Sequence, residues 1–183
     1  MQYDIAKPSE MLRPYIKQYW GMHTAFTPTE AYRQRIIPTG LPELICYFGA
    51  RPTSTQRNIT SNMLFNGQQT DFYDLEINAP LSLFAITFEP LGWHRFFTPP
   101  LHLFENQTTD WRLIDTPIWL NLEELLEDTP SFKQKVALVN KLLLNALAHR
   151  EKPYDINRIQ HAIHIIKQQN GLISIDKLAS ETC

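Results

Sequence analysis

Six histidines, His23, His94, His102, His149, His161 and His164, are the side chains with which this chain could hold a metal or move a proton near neutral pH. Metal-dependent oxygen chemistry in a β-barrel needs two histidines and a carboxylate converging from adjacent strands, typically with one histidine pair two residues apart. No pair here has that spacing. His161 and His164 can share one helical turn and could hold a metal there, although the same spacing describes two solvated side chains. Glu89, between Phe88 and Pro90, is an acid in an apolar setting, either a general acid–base or a surface acid at a strand end. A glycine-rich phosphate loop, a serine elbow and paired zinc-type cysteines are all missing. Cys46 lies in an apolar run, where a thiol serves as a small core residue, and with Cys183 it makes no disulfide framework. No catalytic set can be assembled, so the reading is not an enzyme, with no catalytic residues, no metal site and no cofactor.

The elements that would position any site divide the chain in two. Its 183 residues suit one domain of ordinary size, or one with a small attachment. With 43% hydrophobic and 20% charged residues it is neither a disordered chain nor a coiled rod. Twelve of the 13 prolines precede residue 131. That first part reads as short strands between turns: 16–26, 32–37, 43–48, 63–65, 72–77 and 81–88, with a short turn over 10–12 and a marginal strand within 50–61. Asn66-Gly67 is a hairpin dipeptide. Many short strands with regular turn signals indicate a barrel or sandwich.

The second part is helical. Asn121-Leu122-Glu123-Glu124 has the pattern of a capping box, and Thr129-Pro130 suits the cap and first position of a longer helix. That helix carries Phe132, Val136, Val139, Leu143 and Leu147 (or Ala146) on one stripe. Asp155 can cap a third helix with Ile156, Ile159, Ile163 and Ile166 on one face, ending at Asn170-Gly171. Ser174 can cap a last one over 175–180. The formal charge of −2 hides an acidic body and a basic tail, since 131–183 holds more lysine and arginine than acid. A sensor joined to a nucleic-acid-facing element has that distribution, as do ordinary surfaces. The longest apolar runs fall far short of a membrane span, and no secretory signal precedes residue 5, so a cytoplasmic location without a membrane partner is expected.

Three segments carry a resemblance in their order and spacing: Pro8, Leu12, Tyr15-Ile16 and Tyr19-Trp20; then Ile36-Ile37-Pro38-Thr39-Gly40 with Glu43-Leu44-Ile45; then Phe88-Glu89-Pro90-Leu91-Gly92-Trp93 with Phe96-Phe97. Together they resemble the N-terminal sensor domain of AraC/XylS-type transcriptional regulators, with Pro-Leu-Gly where that family often has Pro-Gly-Gly. The tail extends the likeness. Ile156 to Gln169 resembles the opening helix of the family's DNA-binding domain, and Ser174-Ile175-Asp176-Lys177-Leu178-Ala179 the first helix of its first helix-turn-helix unit. The resemblance implies an α+β fold: a small cupin-like β-barrel over 1–120, an α-helical linker over 121–152, and the first helices of a truncated helix-turn-helix domain over 153–183.

Under that resemblance the barrel senses a small-molecule effector and the full-length protein binds DNA. The recognition helix that would read bases is absent, so sequence-specific DNA binding by these 183 residues is not expected. Effector pockets are apolar with a few placed polar groups. The candidate ligand-binding residues are Trp20, His23, Tyr47, Phe88, Trp93 and Phe97, with Trp93 favoured because it follows Gly92 at a strand-to-helix corner. His94 and Arg95 there could meet an anion or face water. Phe132, Val136, Val139, Leu143 and Leu147 are either core packing on the barrel or the seam of a homodimer. The competing readings are a cupin-like small-molecule enzyme and a ligand-free dimerisation module.

Overall fold

β-Branched and aromatic runs, separated by proline and glycine, become eight strands among the residues that the computed structural model describes: 2–24, 32–114, 119, 121–149 and 156–182. The strands are β1 (Gln2–Ala6), β2 (Ile16–His23), β3 (Tyr32–Ile36), β4 (Glu43–Tyr47), β5 (Met63–Asn66), β6 (Tyr73–Ile77), β7 (Ser82–Phe88) and β8 (Thr108–Asp110). Six of them form one antiparallel sheet in the order β1-β2-β7-β4-β5-β8, and β3 pairs with β6 as a separate ribbon. The described strands do not close into a barrel; the structure is a mixed α+β fold, sheet-rich at first and helical after.

Strand side chains alternate, so the register sorts each residue onto one of two faces. Trp20, Ala85, Ile45 and Leu64 lie side by side across β2, β7, β4 and β5, and Met22, Leu83 and Tyr47 form the next row. On this inner face Ile77 of β6 and Leu81 join Ile45, Tyr47, Leu64, Leu83 and Ala85 in one apolar cluster. The β3–β6 ribbon therefore lies against the inner face through Ile77. The outer face carries Tyr19, Phe84, Leu44, Cys46 and Phe65, all buried under helices and turns. Each large apolar side chain so buried contributes roughly 1.5–3 kcal/mol.

Among the described residues the first compact unit, which runs to His149, also holds three α-helices, one before β8 and two after it. Helix α1 (Gly92–Phe96) sets Trp93 on Phe65, ring centroids 4.1 Å apart. Helix α2 (Leu122–Glu127) buries Leu122 and Leu126. Helix α3 (Phe132–His149) buries Val139, Leu143 and Ala146 and places Phe132 on Phe84 at 5.7 Å. Asn140 of α3 accepts from the Ser9 N–H at 3.0 Å and the Tyr19 hydroxyl at 3.2 Å, tying the helix to the sheet. Lys135 donates to the Leu126 carbonyl near the end of α2, with its ammonium 3.9 Å over the Phe48 ring; burial lowers its pKa. The helices expected as a linker over 121–152 thus belong, as far as 149, to the same unit as the sheet.

Local differences from the sequence reading have physical causes. Asn66-Gly67 makes no hairpin: β5 pairs with β4 and β8, while the next strand, β6, pairs with β3. Gly67 is needed for close approach instead, because a Cβ there would stand 1.9 Å from the Phe104 carbonyl oxygen. The Asn121 side chain makes no capping hydrogen bond. Ser131, not Thr129, caps α3, accepting from the Gln134 N–H at 3.3 Å and donating to its side-chain oxygen at 2.6 Å. The marginal strand within 50–61 contributes only isolated bridges, Ala50 to Leu81 and Thr53 to Glu76.

The second unit, residues 150–183, holds α4 (Ile156–Gln168) and α5 (Ile175–Thr182). Asn170 and Gly171 both take positive φ, and the Gly171 N–H donates to the Ile166 carbonyl at 2.9 Å, ending α4 as the sequence indicates. The Lys177 N–H donates to the Ser174 hydroxyl at 3.3 Å, the cap expected for α5. Ile165 is buried, whereas Ile159 and Ile166 of the expected stripe, with Leu172 and Ile175, are exposed. The proposed Asp155 cap and Cys183 lie outside the described residues.

Candidate ligand-binding face

A polar row crosses one end of the apolar inner face. The register aligns Gln18 of β2, Thr87 of β7, Glu43 of β4, Asn66 of β5 and Thr108 of β8. Strand alternation puts this row on the side that carries Trp20, Ile45 and Tyr47. Its members bond along the sheet. The Thr87 hydroxyl donates to Glu43 Oε1 at 2.6 Å, and the Trp20 Nε1–H donates to the same oxygen at 3.1 Å. The Thr108 hydroxyl donates to Asn66 Oδ1 at 2.7 Å. Thr87 and Asn66 are buried; Gln18, Trp20, Met22 and Glu43 remain half-buried and reachable.

Glu43 is the charged member of the row. Desolvation raises its carboxyl above the ordinary glutamate value, and the hydrogen bonds from Thr87 and Trp20 oppose that rise. No ion pair among the described residues involves it. Its charge acts on three phenols, Tyr3, Tyr47 and Tyr73, all raised chiefly by burial, Tyr73 to about 12. Tyr3 stacks on Trp20 with centroids 5.6 Å apart. The Arg57 guanidinium lies 4.8 Å over the Tyr73 ring and donates to Gln69 Oε1 at 2.8 Å. The face thus offers a half-buried carboxylate beside an indole at the edge of an aliphatic core, polar and apolar groups of the kind that hold a small organic molecule.

Of the six residues singled out from the sequence, Trp20 and Tyr47 share this inner face. The other four lie elsewhere. Phe88, Trp93 and Phe97 are buried in an aromatic cluster on the outer side, where Trp93 also meets Phe104 and Phe97 meets Trp111 and Trp119. Trp93 is not at a pocket mouth: it is 0% exposed and its Nε1–H donates to the Pro99 carbonyl at 2.5 Å. The corner it follows is tight for backbone reasons, since a Cβ on Gly92 would stand 2.0 Å from the Tyr15 carbonyl oxygen. Arg95 is buried and donates to the Leu147 carbonyl at 2.6 Å, at the C-terminal end of α3, where a cation is favoured. His23 is exposed on the outer side, bordering a cleft of about 220 Å³ with Asp4, Phe48 and Lys135.

The stripe on α3 is occupied within the chain. Val139 and Leu143 are 0% exposed, Phe132 packs on Phe84, and Val136 and Leu147 are half-buried. His161 and His164 are exposed, and among the described residues no group of three histidine, cysteine or acidic side chains could hold a metal. Glu89 is a strand-end acid 3.7 Å from the Lys17 ammonium, and its backbone N–H donates to the Tyr15 carbonyl. Glu43 itself was passed over in the sequence, although the period of two in Glu43-Leu44-Ile45-Cys46-Tyr47 places it on the face of Tyr47.

No curated protein and no solved structure matches the chain. A family model described as a domain of unknown function, DUF6597, matches residues 5–110, which span nearly all of the strands and the whole polar row. That match covers more than half of the sequence, and the chain therefore belongs to the DUF6597 family.

Proposed function

We propose that the first unit is the effector-sensing part of an AraC-type DNA-binding transcriptional regulator, with the inner face of its sheet as the effector site. The observation that carries this reading is the half-buried row through Glu43, set beside Trp20 and Tyr47 on an otherwise apolar face. A carboxylate among phenols and an indole suits binding and orientation better than bond-breaking chemistry. The three segments behind the resemblance also belong together in space. Glu89 bonds to Tyr15, and the Phe88 N–H donates to the Pro42 carbonyl at 3.0 Å. The cupin-like character of the sensor is part of the same proposal, as are its cytoplasmic location and homodimerisation.

The second unit fits the start of a helix-turn-helix domain. Its two capped helices are joined through left-handed Asn170 and Gly171, and the exposed Ile159, Ile166, Leu172 and Ile175 suit packing against further helices of such a domain. DNA is then the partner of the whole regulator. Coupling would follow if effector binding favoured one arrangement of the helices behind the sheet.

The test is thermal denaturation of the purified chain with fractionated bacterial metabolites, paired with native mass spectrometry. The expected result is a fraction that raises Tm and adds a small-molecule mass to the wild type but not to Trp20→Ala. A fraction acting equally on both variants would remove the inner face as the site. No active fraction would remove effector sensing.

A further inference from the structure

Part of the polar row on the inner face is satisfied from within. The Trp20 N–H and the Thr87 hydroxyl both end on one oxygen of Glu43, and Asn66 is engaged by Thr108. Glu43 Oε2 takes no hydrogen bond from any described residue. Among the described residues Arg57, the cation over the Tyr73 ring, donates to Gln69 Oε1 and leaves its Nε without a partner, and no ion pair reaches Glu43. A carboxylate held in apolar surroundings without a counter-charge is costly unless something positive joins it. The Trp20 indole beside the carboxylate suits the same partner, because indole faces attract ammonium groups.

We propose that the half-buried edge of the inner face binds an organic cation, an ammonium on a compact aromatic or apolar skeleton, with Glu43 as counter-ion and Trp20 as its aromatic neighbour. This rests on the inner face being the effector site and adds the chemical class of the effector. Glu43 supplies the charge-assisted hydrogen bond through its open oxygen, and Trp20 and Gln18, half-buried like Glu43, line the reachable edge beside it.

Three matched probes separate the classes: phenethylamine, the neutral 2-phenylethanol and the anionic phenylacetate. Each is titrated into the full chain by calorimetry and thermal denaturation. Phenethylamine at about five times its Kd is expected to raise Tm by about 2–4 °C, with little response to the other two. Glu43→Gln keeps the oxygen that Trp20 and Thr87 use and removes the charge. It is expected to weaken phenethylamine binding about 10- to 100-fold while unfolding at a similar temperature. Equal responses to the neutral or anionic probe, unchanged affinity in Glu43→Gln, or no response to phenethylamine at all would each overturn the cation class. The metabolite-fraction assay judges the site itself independently, since a neutral or anionic effector would still lose its effect in Trp20→Ala.

Discussion

Replacing Glu43 by alanine and by glutamine divides its structural role from its charge. Alanine removes the acceptor of two donors, the Thr87 hydroxyl at 2.6 Å and the Trp20 N–H at 3.1 Å. A buried donor left without a partner costs about 1–3 kcal/mol. Thr87 is buried and Trp20 only half so, which places the expected loss for Glu43→Ala at about 2–4 kcal/mol. Glutamine keeps an acceptor at the same place, and its cost at neutral pH is expected to stay within about 1 kcal/mol. The pH dependence has a definite sign. Burial raises the Glu43 carboxyl in the folded state, so its favourable contribution is complete below the unfolded value of about 4.5 and is lost as pH rises through the higher folded value. The titratable neighbours, Tyr3, Tyr47 and Tyr73, stay protonated throughout that window. Urea denaturation between pH 4 and 8 should show the wild type losing stability relative to Glu43→Gln as pH rises. Parallel curves, or an alanine variant as stable as the glutamine one, would refute the placement of Glu43 as a desolvated acceptor.

Other consequences follow from packing. Gly67→Ala puts a Cβ 1.9 Å from the Phe104 carbonyl oxygen, and urea denaturation should register a loss of at least about 3 kcal/mol or an insoluble chain. Leu143→Ala should cost about 2–5 kcal/mol, and Leu143→Asp should give an unfolded or aggregated chain by circular dichroism and size-exclusion chromatography; a well-folded monomer would restore the seam reading of α3. The Cys46 thiol, pushed up to about 12 chiefly by burial, should resist iodoacetamide at pH 8 in the native Cys183→Ser protein and react after denaturation.

Much of the fold was legible because local patterns there agree with what the chain finally packs. Tyr32 to Ile37, Glu43 to Phe48 and Leu81 to Phe88 read as strands from branched and aromatic runs, and each contains a strand of the structure. Ser174 and Asn170-Gly171 act where local chemistry alone suffices, at helix ends. The hairpin misreading has a long-range cause. Asn66-Gly67 favours a hairpin locally, but β5 finds its partners in β4 and β8, and Gly67 answers to the backbone of Phe104, far along the chain. Strand β1 went unread because its side chains Tyr3 and Ile5 stay exposed at the sheet edge, so little burial imprints a pattern on it.

For this protein, then, the sequence by itself determined the kinds of elements and most of their limits, the sheet-then-helix order, and the exclusion of the familiar catalytic motifs. Those follow from backbone sterics, side-chain alternation and caps, which act over a few residues. Which aromatic side chains are core and which are reachable was decided only by tertiary pairing. Trp20 and Trp93 look alike as tryptophans in apolar segments, yet one borders Glu43 on the inner face and the other packs between Phe65 and Phe97. The polar row through Gln18, Thr87, Glu43, Asn66 and Thr108 exists only because five strands distant in sequence come into register. Register between strands distant in sequence is set by which faces can be buried together, and no local stretch of sequence carries that information.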